Sequence, residues 1–240
     1  MVQMGVPTTH EKNATGATRL RLMLFNQKPL KVCFIHIPKT GGLNFRSEGS
    51  IHQLIAKRHH YQVLGHKLIP KKQRRETDYV FCCVRHPLER LVSLYHYCKQ
   101  GFRMLYQKGK QTEEQLEHTL IQDFAANRTF EEFVELLPEW RRLCQKDETF
   151  NYLYRYHFES QFRMINHDGK LIVDFMIRNE TYDEDTKKML LDLGIPYEEK
   201  LPRINATDWN RENVLEYYNE KTETLARELF QDDFAHLGYE

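Results

Sequence analysis

The sequence predicts an α/β fold in which a parallel sheet is flanked by helices on both faces and carries a helical insertion. Three observations predict it. Short apolar runs recur at "KVCFIHI" (31–37), "YQVLGH" (61–66) and "DYVFCCV" (78–84). The first of them, continuous and without polar alternation, has the signature of a strand covered on both faces. Segments of helical period separate the runs, and strands alternating with helices build a parallel sheet.

Taken in order, residues 1–28 are polar and aperiodic, and read as a loose arm before a single domain over 29–240. The first run stops at Pro38, and helical spacing resumes through Phe45, Ile51, Leu54 and Ile55. The third run passes into "RHPLERLVSLYHY", where Pro87 suits the first position of a helix. Leu88, Leu91, Val92 and Tyr95 then form an i, i+3, i+4, i+7 stripe. The insertion, about 103–150, carries helical patches in "TEEQLEHTLIQDF" and "TFEEFVELL", with a break expected at Pro138. Asp168-Gly169 marks a turn before an apolar strand, Leu171–Ile177. "DEDTKKMLLDLGI" is a helix with acids at its start and Gly194 near its end. The tail, "RENVLEYYNEKTETLARELF", is amphipathic and is expected to pack against the sheet.

Composition narrows the setting. The chain has 240 residues, enough to bury a sizeable core. Its formal net charge of +1 argues neither for nor against a polyanion through the whole-molecule field, and no nucleic-acid partner is expected. Cys33, Cys82, Cys83, Cys98 and Cys144 are odd in number and include no CxxC pair. They read as reduced, buried thiols, neither a disulfide framework nor a zinc site. No apolar run reaches membrane-spanning length, and the N-terminus has no apolar h-region. A cytoplasmic protein without a membrane partner is expected. The sequons at Asn13, Asn127, Asn179 and Asn205 therefore read as chance.

The chemistry starts at "IPKTGG". A strand that ends in a glycine-bearing turn and feeds a helix points backbone N–H groups outward and makes a P-loop-like, phosphate-sized anion site. Lys39 adds a full charge, and Gly41 and Gly42 let the backbone approach closely. The nucleoside-triphosphate loop places its lysine after the second glycine, whereas here the lysine precedes both. Arg85 stands at the end of another strand, on the edge where open α/β sheets bind ligands, with Ser93 on the next helix. A guanidinium and a hydroxyl so placed suit a second phosphate. Two anion sites at two strand ends suggest one ligand with separated phosphates.

"IPKTGG" followed by "VRHPLERLVSLYHY" resembles the sulfotransferases that use 3′-phosphoadenosine 5′-phosphosulfate (PAPS), and most closely their carbohydrate branch, the heparan and chondroitin O-sulfotransferases. The resemblance runs from residue 31 through most of the chain. It implies a PAPS-dependent transfer of a sulfuryl group to a hydroxyl or amine, with 3′,5′-adenosine bisphosphate (PAP) as product and no metal. It implies Lys39 on the 5′-phosphosulfate, the amides of Thr40, Gly41 and Gly42 around the 5′-phosphate, and Arg85 and Ser93 on the 3′-phosphate. The family's usual Thr-Ser is Leu43-Asn44 here, so Asn44 replaces one of two hydroxyl donors. The base the reaction needs is expected at His66, one of 12 histidines, because it ends a strand on the ligand edge behind Gly65 and matches the family's position. A carboxylate of the insertion is the alternative base. Lys67, in the basic stretch "KRHHYQVLGHKLIPKKQRR", and His157 and Gln161, in "YRYHFESQF", are the expected acceptor contacts. Arg141 and Arg142 extend that basic surface. The acceptor is a small molecule or saccharide that the basic stretch would favour as an anion. Two other readings of the same residues stand beside this one: a nucleotide phosphotransferase with an atypical phosphate loop, and a non-catalytic polyanion-binding protein.

Overall fold

The computed structural model describes residues 28–46, 49–64, 68–99, 125, 127–146, 157–197 and 213–240. Its centre is a parallel sheet of β1 (Lys31–Ile35), β2 (His60–Leu64), β3 (Tyr79–Val84) and β6 (Phe175–Arg178), in the order β2-β1-β3-β6. From β1 the chain goes first to one side and then to the other. The topological switch point therefore lies between β1 and β3, where such sheets hold their ligands at the carboxyl ends of the strands.

The unbroken apolar runs are explained by burial on both faces. Val32, Phe34, Phe81 and Cys83 face one layer, with α1 (Ser50–Ala56) and α6 (Tyr182–Asp192). Cys33, Ile35, Val80, Cys82 and Val84 face the other. There they meet α5 (Gln161–Met164) and Leu237 of α8 (Gln231–Leu237). A third apolar cluster joins α3 (Pro87–Lys99), α4 (Phe130–Lys146) and α7 (Glu220–Leu229) beside the sheet. The expected stripe of α3 is buried there, at Leu88, Leu91, Val92 and Tyr95. The remaining elements are the short helix α2 (Lys71–Arg75), a hairpin of β4 (Asn166–His167) and β5 (Lys170–Leu171), and 3-10 turns at Gly42–Phe45 and Val214–Tyr217. The α6 helix ends as its Gly194 predicts. That residue takes φ 66°, its N–H donates to the Leu191 carbonyl and the Ile195 N–H donates to the Leu190 carbonyl.

Three expectations are corrected. The helix α4 runs through Pro138 instead of breaking there. A proline in a helix interior costs about 3 kcal/mol, but burying Phe133, Val134 and Leu137 returns about 1.5–3 kcal/mol each, so packing wins. The run Leu171–Ile177 is not one strand. It closes the β4–β5 hairpin at Leu171 and re-forms as β6 at Phe175. Asp174 divides it: its carboxylate accepts from the Val80 N–H at 2.8 Å and from Arg74 Nη2 at 2.7 Å, while its own N–H donates to the Val80 carbonyl. The tail helix α7 packs on α3 and α4 and not on the sheet, whose face is covered by Phe162, Met164 and Ile165 with Leu237 of α8 and Tyr239 beyond it. Cys33, Cys82, Cys83 and Cys98 are buried and free. The arm over 1–27, most of the insertion and the side chain of Cys144 lie outside the described residues.

Candidate active site at the sheet switch point

The turn after β1 is built from two left-handed residues. Lys39 takes φ 68° and Gly41 φ 90°. Glycine adopts this conformation freely, but a lysine there is strained by roughly 1–2 kcal/mol, so the surroundings must hold it. They do so from several directions. The Thr40 hydroxyl donates to the Ile37 carbonyl at 2.9 Å. Asn179, at the end of β6, donates from Nδ2 to the Thr40 carbonyl at 3.2 Å. Asn44 donates to the Tyr182 hydroxyl at 3.1 Å. Arg90 Nε donates to the Pro38 carbonyl at 3.0 Å. Close contact accounts for both glycines. A Cβ on Gly41 would lie 2.6 Å from Asn179 Nδ2, and one on Gly42 would lie 2.7 Å from the Phe34 ring and 2.9 Å from the His36 ring. Gly41 itself is exposed, so the backbone of the turn is open to a ligand.

The Lys39 ammonium is half-buried and sits 3.9 Å from the centroid of the Tyr97 ring. Among the described residues no carboxylate pairs with it. Burial lowers its pKa to about 8, and nearby Arg85 pushes in the same direction. Cys98 also adjoins it, but burial drives that thiol up to about 12, so it is neutral where Lys39 titrates. The Tyr97 ring in turn stacks on His157, at 6.0 Å between centroids and 11° between planes.

The corner after β3 is organised differently. Arg85 is buried, and its Nε and Nη2 both donate to Glu89 Oε2 at 3.1 Å. Its backbone is clamped by Gln161, whose Oε1 accepts from the Arg85 N–H at 2.9 Å and whose Nε2 donates to the Arg85 carbonyl at 2.8 Å. Gln161 Nε2 also donates to buried Asp233, which accepts further bonds from the Ser160 hydroxyl at 2.6 Å and the Phe162 N–H at 2.8 Å. Arg90 joins three segments: besides Pro38 it donates to the carbonyls of Glu159 at 2.8 Å and His157 at 3.1 Å. Arg90, Ser93 and Tyr97 share one face of α3 by their i, i+3, i+7 spacing, and Ser93 is 2 % exposed.

Of the residues the sequence singles out, Lys39, Thr40, Gly41, Gly42 and Asn44 form the turn, with Arg85 near enough to act on Lys39. His157 joins them through Tyr97. Gln161 is fully buried, and both ends of its amide serve Arg85 and Asp233. His66 and Lys67 lie outside the described residues. The strand before them ends at Leu64, paired with Ile35, on the same sheet edge as the Lys39 turn. Much of the basic stretch is engaged structurally: Arg58 binds the Gly194 carbonyl, Lys71 pairs with Asp168, and Arg74 pairs with Asp174 and binds the carbonyls of Ile172 and Thr77. Arg141 binds the Leu229 carbonyl and Glu159, and Arg142 lies 3.9 Å from Glu139. Sequence reasoning missed Arg90, Tyr97, Asn179 and Glu89. Glu89, Arg90 and Tyr97 stand within the quoted motif, and their spacing from Arg85 was the available signal. Asn179 was visible only as a sequon, yet its amide nitrogen is spent on the Thr40 carbonyl.

A parallel sheet with a lysine-bearing open turn and an arginine at its switch point defines a protein that handles an anionic group there. A family model described as "Sulfotransferase family" matches residues 20–240, and the chain belongs to the sulfotransferase family. It is a transferase of sulfuryl groups, and it binds an acceptor substrate. No curated protein and no solved structure matches the chain. Among the described residues no helix is long and apolar enough to cross a membrane.

Proposed function

We propose that this protein transfers the sulfuryl group of PAPS to a hydroxyl or amine of a small-molecule or carbohydrate acceptor, as in the carbohydrate branch of the family, and releases PAP. The observation that carries this reading is the Lys39 ammonium, half-buried and without a carboxylate partner among the described residues, beside the open backbone of Gly41. That donor set suits a phosphosulfate. A desolvated cation strengthens its hold on an anion, and the glycine backbone leaves room for one.

PAPS supplies a sulfuryl group activated on a bridging phosphate oxygen. Lys39 neutralises the charge that grows on that oxygen as the sulfur–oxygen bond breaks. The amides of Thr40, Gly41 and Gly42, with Asn44 behind them, hold the 5′-phosphate. Arg85 and Ser93 hold the 3′-phosphate. As the acceptor oxygen or nitrogen bonds to sulfur, its proton passes to the imidazole of His66. Lys67 and His157 contact the acceptor, and Gln161 supports Arg85 from behind. The buried free thiols support a reducing, cytoplasmic setting. The phosphotransferase alternative needs the hydroxyl after the lysine to hold a metal. Thr40 is buried instead and donates inward to the Ile37 carbonyl, which counts against it.

The test combines thermal shift with mass spectrometry. PAP should stabilise the protein far more than ATP–Mg²⁺ or heparin. A panel of acceptors incubated with PAPS should include one that gains the mass of one sulfuryl group. His66→Asn should bind PAP like the wild type yet transfer about 10²–10⁴-fold more slowly. Stabilisation by ATP–Mg²⁺ alone, or by heparin with no transfer to any acceptor, would overturn the reading.

A further inference from the structure

The geometry points to Tyr97 as the positioning residue for Lys39: its ring face holds the ammonium in place and in the protonated state that the transfer requires. This inference rests on the reading of Lys39 as the group that neutralises the leaving oxygen. Tyr97 lies two residues beyond the stripe that anchors α3 and is the last residue of the quoted segment "VRHPLERLVSLYHY", to which the sequence reading gave no role.

The arrangement is specific. Lys39 Nζ lies 3.9 Å from the Tyr97 centroid, well inside the roughly 6 Å over which a ring face attracts a cation. Lys39 has no carboxylate partner among the described residues, and the aromatic face of Tyr97 is the group that meets its ammonium. A π face suits a transfer site better than a carboxylate. It favours the charged ammonium without neutralising it, so the full charge stays available to an incoming anion.

The ring is itself held. It stacks on His157 at 11°, and Arg90 grips both the His157 carbonyl and the Pro38 carbonyl beside Lys39. One guanidinium thus ties the lysine turn and the stack that receives the lysine. The charged or titratable groups facing the pair are Arg85 and Cys98 at Lys39, and Arg46, Cys98 and His157 at Tyr97. Burial pushes the Tyr97 hydroxyl up to about 12, so it stays neutral where Lys39 titrates and the ring face alone acts on the ammonium.

The test measures the titration of Lys39 directly, by mass spectrometry of its amine-labelling rate against pH, beside kcat and donor KM. Removing the ring removes what favours the charged form, while the cost of burial remains. Tyr97→Leu, or the longer and more flexible Tyr97→Met should the first fail to fold, should lower the Lys39 pKa by about one pH unit. It should reduce kcat/KM for the donor about fivefold at pH 8, the ratio of protonated Lys39 at the two pKa values. Tyr97→Phe keeps the face and should match the wild type in both. A wild-type titration in the leucine or methionine variant, or a phenylalanine variant as impaired as they are, overturns the inference. If Lys39→Ala keeps normal kcat, the catalytic reading of Lys39 has failed, and the labelling titration still decides whether Tyr97 holds the ammonium.

Discussion

The Lys39 turn and the Arg85 corner each present one cation at neighbouring strand ends, yet they hold it in opposite ways. Arg85 is laced in. A carboxylate four residues away takes two of its donors, and Gln161 binds both its N–H and its carbonyl and passes the constraint to Asp233. Lys39 sits on a strained backbone against a ring, with its charge disfavoured by burial. A guanidinium keeps its charge at any working pH and can be paired in advance. An ammonium is a tunable point charge, and leaving it poorly compensated makes an arriving anion more favourable. The comparison teaches a division of labour: the corner is built to recognise, the turn to respond.

The largest expected effect comes from the responding side. Lys39→Ala should lower kcat by about two orders of magnitude or more, with a smaller rise in donor KM, because the charge acts most as the leaving oxygen gains its own. Steady-state kinetics with PAPS checks this. A variant with normal kcat and poor KM would make the two cations alike and end the comparison.

The recognising side should show a smaller loss that depends on the ligand. Arg85→Ala removes a charge-assisted contact worth about 1.5–3 kcal/mol. PAP should bind at least about tenfold more weakly by calorimetry, while 5′-AMP should change little. Equal losses for both nucleotides would detach Arg85 from the 3′-phosphate.

The smallest effect sharpens the contrast through pH. Lys39 titrates near 8 in the free protein, below the ordinary lysine value of 10.5. Phosphate monoesters lose their second proton near about 6 and are fully charged above that. PAP affinity should therefore be highest below pH 8 and fall as pH rises through it, with a proton taken up on binding in that window. Calorimetry in buffers of different ionisation enthalpy reads the uptake. Lys39→Met should abolish this pH dependence, whereas Arg85→Ala should weaken binding and keep the dependence, moved to higher pH because Arg85 no longer depresses Lys39. For stability the sign is the reverse of a paired lysine. The folded pKa is depressed, so the donor-free protein gains from this group as pH rises from about 8 toward 10.5.

Local pattern alone determined the frame. The runs 31–37 and 78–84 are apolar without alternation because alternate residues face two different layers, and that is written in consecutive side chains. The lysine turn and Arg85 were legible because each follows directly from a strand end. What only the tertiary structure decided depends on partners far apart in the chain. Asn179 meets Thr40 across 139 residues, and Arg90 reaches Pro38, His157 and Glu159 across 52 to 69. Periodicity announces that α3 has an apolar face, but not that its opposite face would bring Tyr97 to Lys39. Likewise it marks Pro138 as a helix breaker and cannot weigh that cost against the burial of Phe133, Val134 and Leu137, since their burial exists only once α3 and α7 are in place. Helical and strand periods are properties of neighbouring residues, whereas the compensation of a charge, a strained turn or a missing hydrogen bond comes from whichever segments the packing delivers.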